Sequence, residues 1–401
     1  VKQKKIIKLN LTISVVGFIT LLLVSLYLDI NLNKSIPNII EYKKIDSTGL
    51  SFTKLNELKD KYKEANFTGY SEAICKVRNK FDITPKKAEK TKLVLTDENF
   101  FTLYNYKFIS GGKIDYLSVE KGDKIIVISD VLAVKLYKTL KVVGNEIEID
   151  NATYKIIGVY KQDKSFIFNM SDDGYDRIFV PYTSYIADNM GKLTVDVFAT
   201  NESRQNTSAK IRNKLVNILG GALSQYNSYS YILNKNINFQ YLRILCFLIG
   251  LWLIVELIRI LKKYVKSLAL IFKENSKKYY VKDIISSNKI QLLTILSKIS
   301  LILVCIIVIF MLAKFTVIID PNYLPSDNVF DLKFYKDTIV KYAQLTNANE
   351  VGYSNVYNRY VTNINSAERS LLIGEIIFFA IALINIKGLR SMSTSELKGL
   401  E

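Results

Sequence analysis

Long apolar runs alternate with polar stretches along the chain. Leu11–Leu28 carries no charged residue and is close to the ~20 residues that cross a hydrocarbon core. Tyr241–Leu261, Gln291–Val317 and Leu371–Ile386 are further apolar stretches, carrying Arg243, Glu256, Arg259, Lys314 and Glu375 among them. The spacing predicts four transmembrane helices over 11–28, 241–261, 291–317 and 371–386. The first is read as a retained anchor: a cleaved leader has a shorter apolar core and a small-residue cleavage site, which Ser25-Leu-Tyr-Leu-Asp29 does not offer.

Basic residues stay on the cytoplasmic side. Lys2, Lys4, Lys5 and Lys8 therefore put segment 1–10 inside. Segment 29–240 is then outside, 262–290 inside, 318–370 outside and the tail 387–401 inside. Loop 262–290 holds eight lysines against Glu274 and Asp283, as that orientation requires.

Within 29–240 the period changes. Leu50–Lys63 has helical spacing, Lys124–Ser129 is a β-rich run, and Val131–Leu140 again has helical spacing. Glu146–Tyr160 alternates apolar and polar residues around Asp150-Asn151, which predicts a hairpin. Asp176–Pro181 and Leu193–Ala199 read as strands, and Ser203–Leu219 as a helix stopped by Gly220-Gly221. The expected fold is an α+β extracytoplasmic domain, an α/β lobe with a β-rich insert over about 121–190. Its flanks, 30–42 and 229–241, are candidate helical stalks on which Ile36, Ile39, Ile232 and Ile237 would face one another. Pro37 favours a bend there.

Composition narrows the function. The formal net charge is +18, yet the lysines are dispersed and no basic helix is interleaved with aromatics. Anionic lipid or wall polymer is therefore the expected counter-charge, and no nucleic acid is expected as a partner. Histidine is absent and no G-x-x-x-x-G-K-[ST] pattern occurs, which removes histidine-based catalysis and a phosphate-cradling loop. No enzymatic site, cofactor or metal is expected. Asp172, Asp173 and Asp176 around Gly174 lack calcium-loop spacing and read as a polar turn. Cys75 is the single cysteine outside the apolar runs, so no intramolecular disulfide is expected there.

Three sets of residues remain as candidates. Val265, Leu268 and Phe272 lie at helical spacing among lysines, an amphipathic basic helix able to dock into a partner groove or lie on headgroups. Lys314 and Glu375 sit at similar depth and form a candidate intramembrane pair. Glu256 and Arg259, three residues apart, are an intrahelical pair or part of a gate.

Asp97-Glu-Asn-Phe-Phe, Val127-Ile-Ser-Asp-Val-Leu-Ala-Val-Lys-Leu-Tyr, Val143-Gly-Asn-Glu-Ile-Glu-Ile, Tyr154-Lys-Ile-Ile-Gly-Val-Tyr and Ile178-Phe-Val-Pro-Tyr-Thr-Ser-Tyr follow one another in order. This succession resembles the extracytoplasmic core domain of MacB-type ABC permeases, the superfamily that includes macrolide exporters, lipoprotein-release permeases and the cell-division permease FtsX. The resemblance implies a permease that pairs with a second copy or a paralogue and is driven by a separate ABC ATPase subunit, with an extracytoplasmic adaptor as a further partner. It implies movement of the outer domain and export or extraction of an amphipathic or peptide-like cargo. An FtsX-like signalling permease that transports nothing is the alternative, and an ATPase-independent membrane-tethered sensor or binding module is another.

Overall fold

The computed structural model describes residues 2–44, 49–63, 65–81, 88–189, 194–203, 207–276, 280–313, 317–319, 324–325, 328–347 and 356–398. In chain order the helices are α1 (Lys2–Ser35), α2 (Phe52–Lys61), α3 (Phe100–Leu103), α4 (Tyr116–Lys121), α5 (Asp130–Tyr137), α6 (Phe166–Ser171), α7 (Tyr182–Asn189), α8 (Ser208–Leu219), α9 (Tyr231–Asn275), α10 (Val281–Ser287), α11 (Lys289–Ala313), α12 (Leu332–Asn347) and α13 (Val356–Lys398). The strands are β1 (Ile39–Lys44), β2 (Leu50–Ser51), β3 (Phe67–Asn79), β4 (Glu89–Thr96), β5 (Phe108–Gly111), β6 (Ile125–Ser129), β7 (Glu146–Ile149), β8 (Ala152–Tyr160), β9 (Asp176–Pro181), β10 (Thr194–Val195), β11 (Val197–Asn201) and β12 (Tyr226–Ser230). They fall into two units. One comprises Val1–Asp29, Asn236–Val329 and Ser366–Glu401, the other Ile30–Lys235 and Phe330–Asn365.

In the helical unit, α1, α9, α11 and α13 are each long and apolar enough to cross a membrane. Three of them outrun the apolar runs that announce them. No glycine or proline lies between Leu251 and Ser276, so α9 continues through the basic segment instead of ending at 261. Likewise α13 begins well before residue 371 and continues past 386.

In the sheet unit, ten strands form one hydrogen-bonded sheet among the described residues, in the order β12-β1-β11-β3-β4-β9-β6-β8-β5 with β7 joined to β3 and β8. The strands of the anticipated insert are not separate from the frame. β3 pairs with β11 through Phe67–Tyr70 and with β4 through Ser71–Val77. The circuit β3–β4–β9–β6–β8–β7 then returns to β3, a closed ring that leaves none of its six strands without two neighbours. The hairpin between β7 and β8 turns at Asp150-Asn151, both with positive φ, and pairs Ile149 with Ala152, as a two-residue primed turn requires.

The core follows from apolar residues on both faces of the ring. Val127, Ile156, Val159, Ile178 and Phe179 are fully buried, and Phe179 meets Phe100, Phe101, Tyr106 and Tyr160 at 5.1–5.5 Å between ring centroids. Gly158 is the motif glycine of β8: a Cβ there would stand 2.1 Å from the carbonyl oxygen of Gly112, so no side chain fits. The first turns of α13 also belong to this unit. Tyr360, Val361 and Ile364 are buried, Tyr357 stacks on Tyr104 at 5.8 Å, and Asn363 Nδ2 donates to Ser171 Oγ at 2.9 Å.

The expected helical stalk is corrected at its upper end. The α1 helix makes its last bond from Ile36 N to Leu32 O at 3.1 Å, and Pro37 has no N–H to continue the ladder. Ile39 is therefore on a strand, not a helix. β1 pairs antiparallel with β12, Ile40 opposite Ser230 and Lys44 opposite Tyr226. Ile36 and Ile39 are buried while Ile232 and Ile237 on α9 are half-buried. The two flanks meet as strands, sealed by Glu41, whose buried carboxylate accepts from Tyr104 Oη at 2.6 Å and Tyr231 Oη at 2.9 Å.

Candidate functional site

Because α9 does not stop at 261, its last four turns carry the candidate docking residues on the same rod as the apolar run. Leu268 and Phe272 line an apolar groove of about 450 Å³ with Ile285 of α10 and Lys289, Leu292, Leu293 and Leu296 of α11. Val265 does not line it and is exposed. The structure thus brings two of the three residues together, and Lys298 stands 5.5 Å from the ring of Tyr264 beside them. Leu292, Leu293 and Leu296 escape the sequence reading because their run reads as the start of a membrane span, and Ile285 because it lies in the basic loop 262–290. Such a groove, apolar apart from Lys289, can accept an apolar helix face.

Glu256 sits between two arginines. Arg259 Nη1 is 2.8 Å from its Oε1, and Arg390 Nη1 donates to Oε1 at 3.0 Å and Oε2 at 2.9 Å. Arg390 joins α13 to α9 through this carboxylate. Its position beyond the fourth apolar run gave no signal of that, since only the extension of α13 carries it there. Lys314 lies outside the described residues, so its pairing with Glu375 has no geometry here. Glu375 itself is buried.

In the sheet unit the motif acids are occupied. Asp97 is fully buried; its carboxylate is 2.9 Å from Lys59 Nζ on α2 and accepts from Thr68 Oγ1 at 2.7 Å, Gly69 N at 3.1 Å and Asn99 N at 3.0 Å. Burial lifts its carboxyl above the usual carboxylate range against the pull of Lys59. Asp173, in the turn before β9, meets Lys92 Nζ at 2.6 Å, Arg177 Nη2 at 2.7 Å and Arg359 Nη2 at 3.7 Å. Burial pushes its carboxyl up, but Arg177 and Lys92 outweigh that and hold it below the usual range. Asp172 bonds Arg177 and Asp176 bonds Lys135, so these acids bind the strand to its surroundings. Cys75 is buried with Sγ 3.1 Å from Thr91 Oγ1, and burial pushes its thiol up to about 11.

The chain resembles several known proteins in this region. Over 51% of its length it superposes on the periplasmic region of MacB from Actinobacillus actinomycetemcomitans, covering 94% of that chain with a TM-score of 0.41 at 13% identity. Over 48% it superposes on the extracellular domain of the ABC-type transporter YknZ from Gram-positive bacteria, covering 100% of that chain with a TM-score of 0.38 at 13% identity. No curated protein matches the chain. The family model of the MacB-like periplasmic core domain matches residues 12–214. That match takes in just over half of the 401 residues, and the protein belongs to this family of MacB-type ABC permeases.

Proposed function

We propose that the chain is the permease subunit of an ABC transporter of the MacB superfamily, coupling ATP hydrolysis on a separate subunit to movement of its outer domain. The family match over 12–214 carries this reading. In it, segments 1–10, 262–290 and 387–401 face the cytoplasm, while 29–240 and 318–370 lie outside. A second copy or a paralogue completes the transmembrane pair. The cargo is amphipathic or peptide-like, taken from the outer leaflet or outside. In this reading the nucleotide chemistry is carried by a separate ATPase subunit. The groove lined by Leu268 and Phe272 is where that partner docks, an apolar face presented beside exposed lysines.

The test is purification of the tagged full chain from native membranes in mild detergent, with mass spectrometry of stoichiometric partners. An ATPase bearing a Walker motif is expected, released by Leu268→Glu or Phe272→Glu while the thermal midpoint of the chain is retained. Absence of any such ATPase, under conditions that keep other membrane complexes intact, overturns the reading in favour of a tethered sensor.

A further inference from the structure

Among the described residues, the sheet unit takes in the ends of three long helices: Ile30–Ser35 of α1, Tyr231–Lys235 of α9 and Val356–Asn365 of α13. The first two are joined by Lys235, whose Nζ donates to Ile36 O at 2.5 Å and to Asn38 Oδ1 at 2.8 Å. The third arrives from a part of the chain more than a hundred residues further on, and it needs an attachment of its own.

That attachment follows from the spacing of its residues. Val356, Tyr360, Val361 and Ile364 fall on one stripe of the helix, and each is at most 3% exposed. The ring of Phe168 on α6 lies 6.4 Å from Tyr357 and 6.3 Å from Tyr360, while Asn363 bonds Ser171 at the end of the same short helix. Tyr357 stacks on Tyr104, whose hydroxyl donates to Glu41, the buried acid that also receives Tyr231. All three helix ends therefore meet around one carboxylate and its rings. Beside the stripe, Arg359 Nη2 stands 3.7 Å from Asp173 Oδ2, and that carboxylate also meets Lys92 of β4 and Arg177 of β9.

The inward face of α13 does not end with this stripe. Val361, Glu368, Glu375 and Ala382, spaced seven residues apart, are all buried, so one side of the helix stays inward from the sheet unit into the apolar run. No proline interrupts Val356–Lys398, a helix of 43 residues, which rises by about 1.5 Å per residue. Membrane crossing alone does not call for the buried stripe, because it precedes the apolar run at 371–386, and the most apolar window of α13 is only 11% buried. An unbroken helix held at its first turns passes its tilt and rotation to whatever holds it.

We propose that the first three turns of α13 are a third attachment of the sheet unit, with Tyr360 and Arg359 as its positioning residues. Through it, movement of the fourth apolar helix reaches α6 and the ring strands β4 and β9 directly, beside the route through α1 and α9. The attachment deepens the proposed movement of the outer domain. It rests on the reading of α13 as membrane-spanning and does not require an ATPase partner.

The full chain is reconstituted in vesicles of phosphatidylcholine and phosphatidylglycerol, and amide hydrogen exchange is followed at stepped urea. Residues 357–365 and β9 should lose protection at the same urea concentration, as parts of one cooperative unit. Earlier loss at 357–365 overturns the proposal. Transmission is read by distances between spin labels in a chain carrying Cys246→Ser and Cys305→Ser, which leaves only the buried Cys75. Tyr116→Cys on α4 is paired with Ile377→Cys on α13 or with Ile19→Cys on α1, all three at exposed positions. Tyr360→Ala should widen the 116–377 distance distribution at least twofold, and Arg359→Gln should widen it by a smaller factor, while the 116–19 distribution is unchanged. A 116–377 distribution that Tyr360→Ala leaves as it is, or equal widening for both pairs, overturns the proposal. If neither variant folds, the exchange measurement on the wild-type chain decides alone. Recovery of an ATPase in the pull-down bears only on the docking reading, so the two fail separately.

Discussion

The sheet unit satisfies itself, whereas the helical unit leaves most of its surface to others. In the former, the ring strands carry residues buried on both faces, and its motif acid Asp97 is met by a lysine and three further donors. In the latter, only 6% of the most apolar window of α11 is buried within the chain, and for α9 and α13 the share is 11% each. The difference teaches where each unit gets its stability. The sheet unit draws on internal packing, whereas the apolar windows of the helical unit are left to surroundings outside the chain, as the proposed permease reading expects.

The sharpest way to break this comparison is one truncation in each unit. Phe179→Ala, in the fully buried aromatic cluster, is expected to cost about 3–5 kcal/mol. Leu301→Ala, at 65% exposure on α11, should change stability by less than about 0.5 kcal/mol. Chemical unfolding of the full chain in detergent, followed by near-ultraviolet circular dichroism, measures both. Equal costs would mean that α11 is packed as tightly as the sheet. Next in size, Asp97→Asn should cost about 2 kcal/mol by removing the buried carboxylate that faces Lys59, which then keeps only Glu98 at 3.0 Å, read by the same unfolding experiment. A neutral result would show that the three hydrogen bonds hold Asp97 without the lysine.

How much of this was legible in the sequence differs between the units for the same reason. In the sheet unit, local chemistry decides structure: Asp150-Asn151 announced its hairpin, and Ser129 caps α5 through Leu132 N at 3.0 Å just where helical spacing begins. Strand partners were not legible. That β3 serves both the frame and the ring depends on residues far apart in sequence, and so does the strand pairing that replaced the expected stalk at Ile39. In the helical unit, hydropathy located the helices but not their ends, because charged residues can continue a helix that leaves the apolar layer. The groove behind Leu268 and Phe272 and the partner Arg390 both depend on those extensions. Charge composition suggested a lysine partner for Glu375, but Lys314 lies outside the described residues; the register of α1 and α13 sets Glu375 level with the middle of the Leu11–Leu28 run.

Acid should act on the sheet unit through a defined group. The folded state holds the Asp173 carboxyl below its ordinary value, and the unfolded chain titrates near about 3.9. The pair's contribution is therefore fully present above about pH 4 and is lost as pH falls through the folded value. Asp173→Asn should flatten the acid limb of the stability curve below about pH 4, measured by urea midpoints at stepped pH. An unchanged acid limb would move the origin of acid sensitivity elsewhere in the unit.

The smallest expected effect tests the other side of the comparison. Glu256 bridges Arg259 and Arg390, but the arginine side chains are 63% and 56% exposed, so each pair should couple by no more than about 1 kcal/mol and weaken as salt is raised. A double-mutant cycle with Glu256→Gln and Arg390→Gln, run on thermal unfolding in detergent at low and high salt, measures the coupling across α9 and α13. A value near zero fits helices held together mainly by their surroundings. A coupling of several kcal/mol that resists salt would require a dry, preorganised contact between α9 and α13. The helical unit would then contain an internal clamp of the kind that Asp97 and Lys59 provide in the sheet unit, and relative movement of these two helices would have to break it.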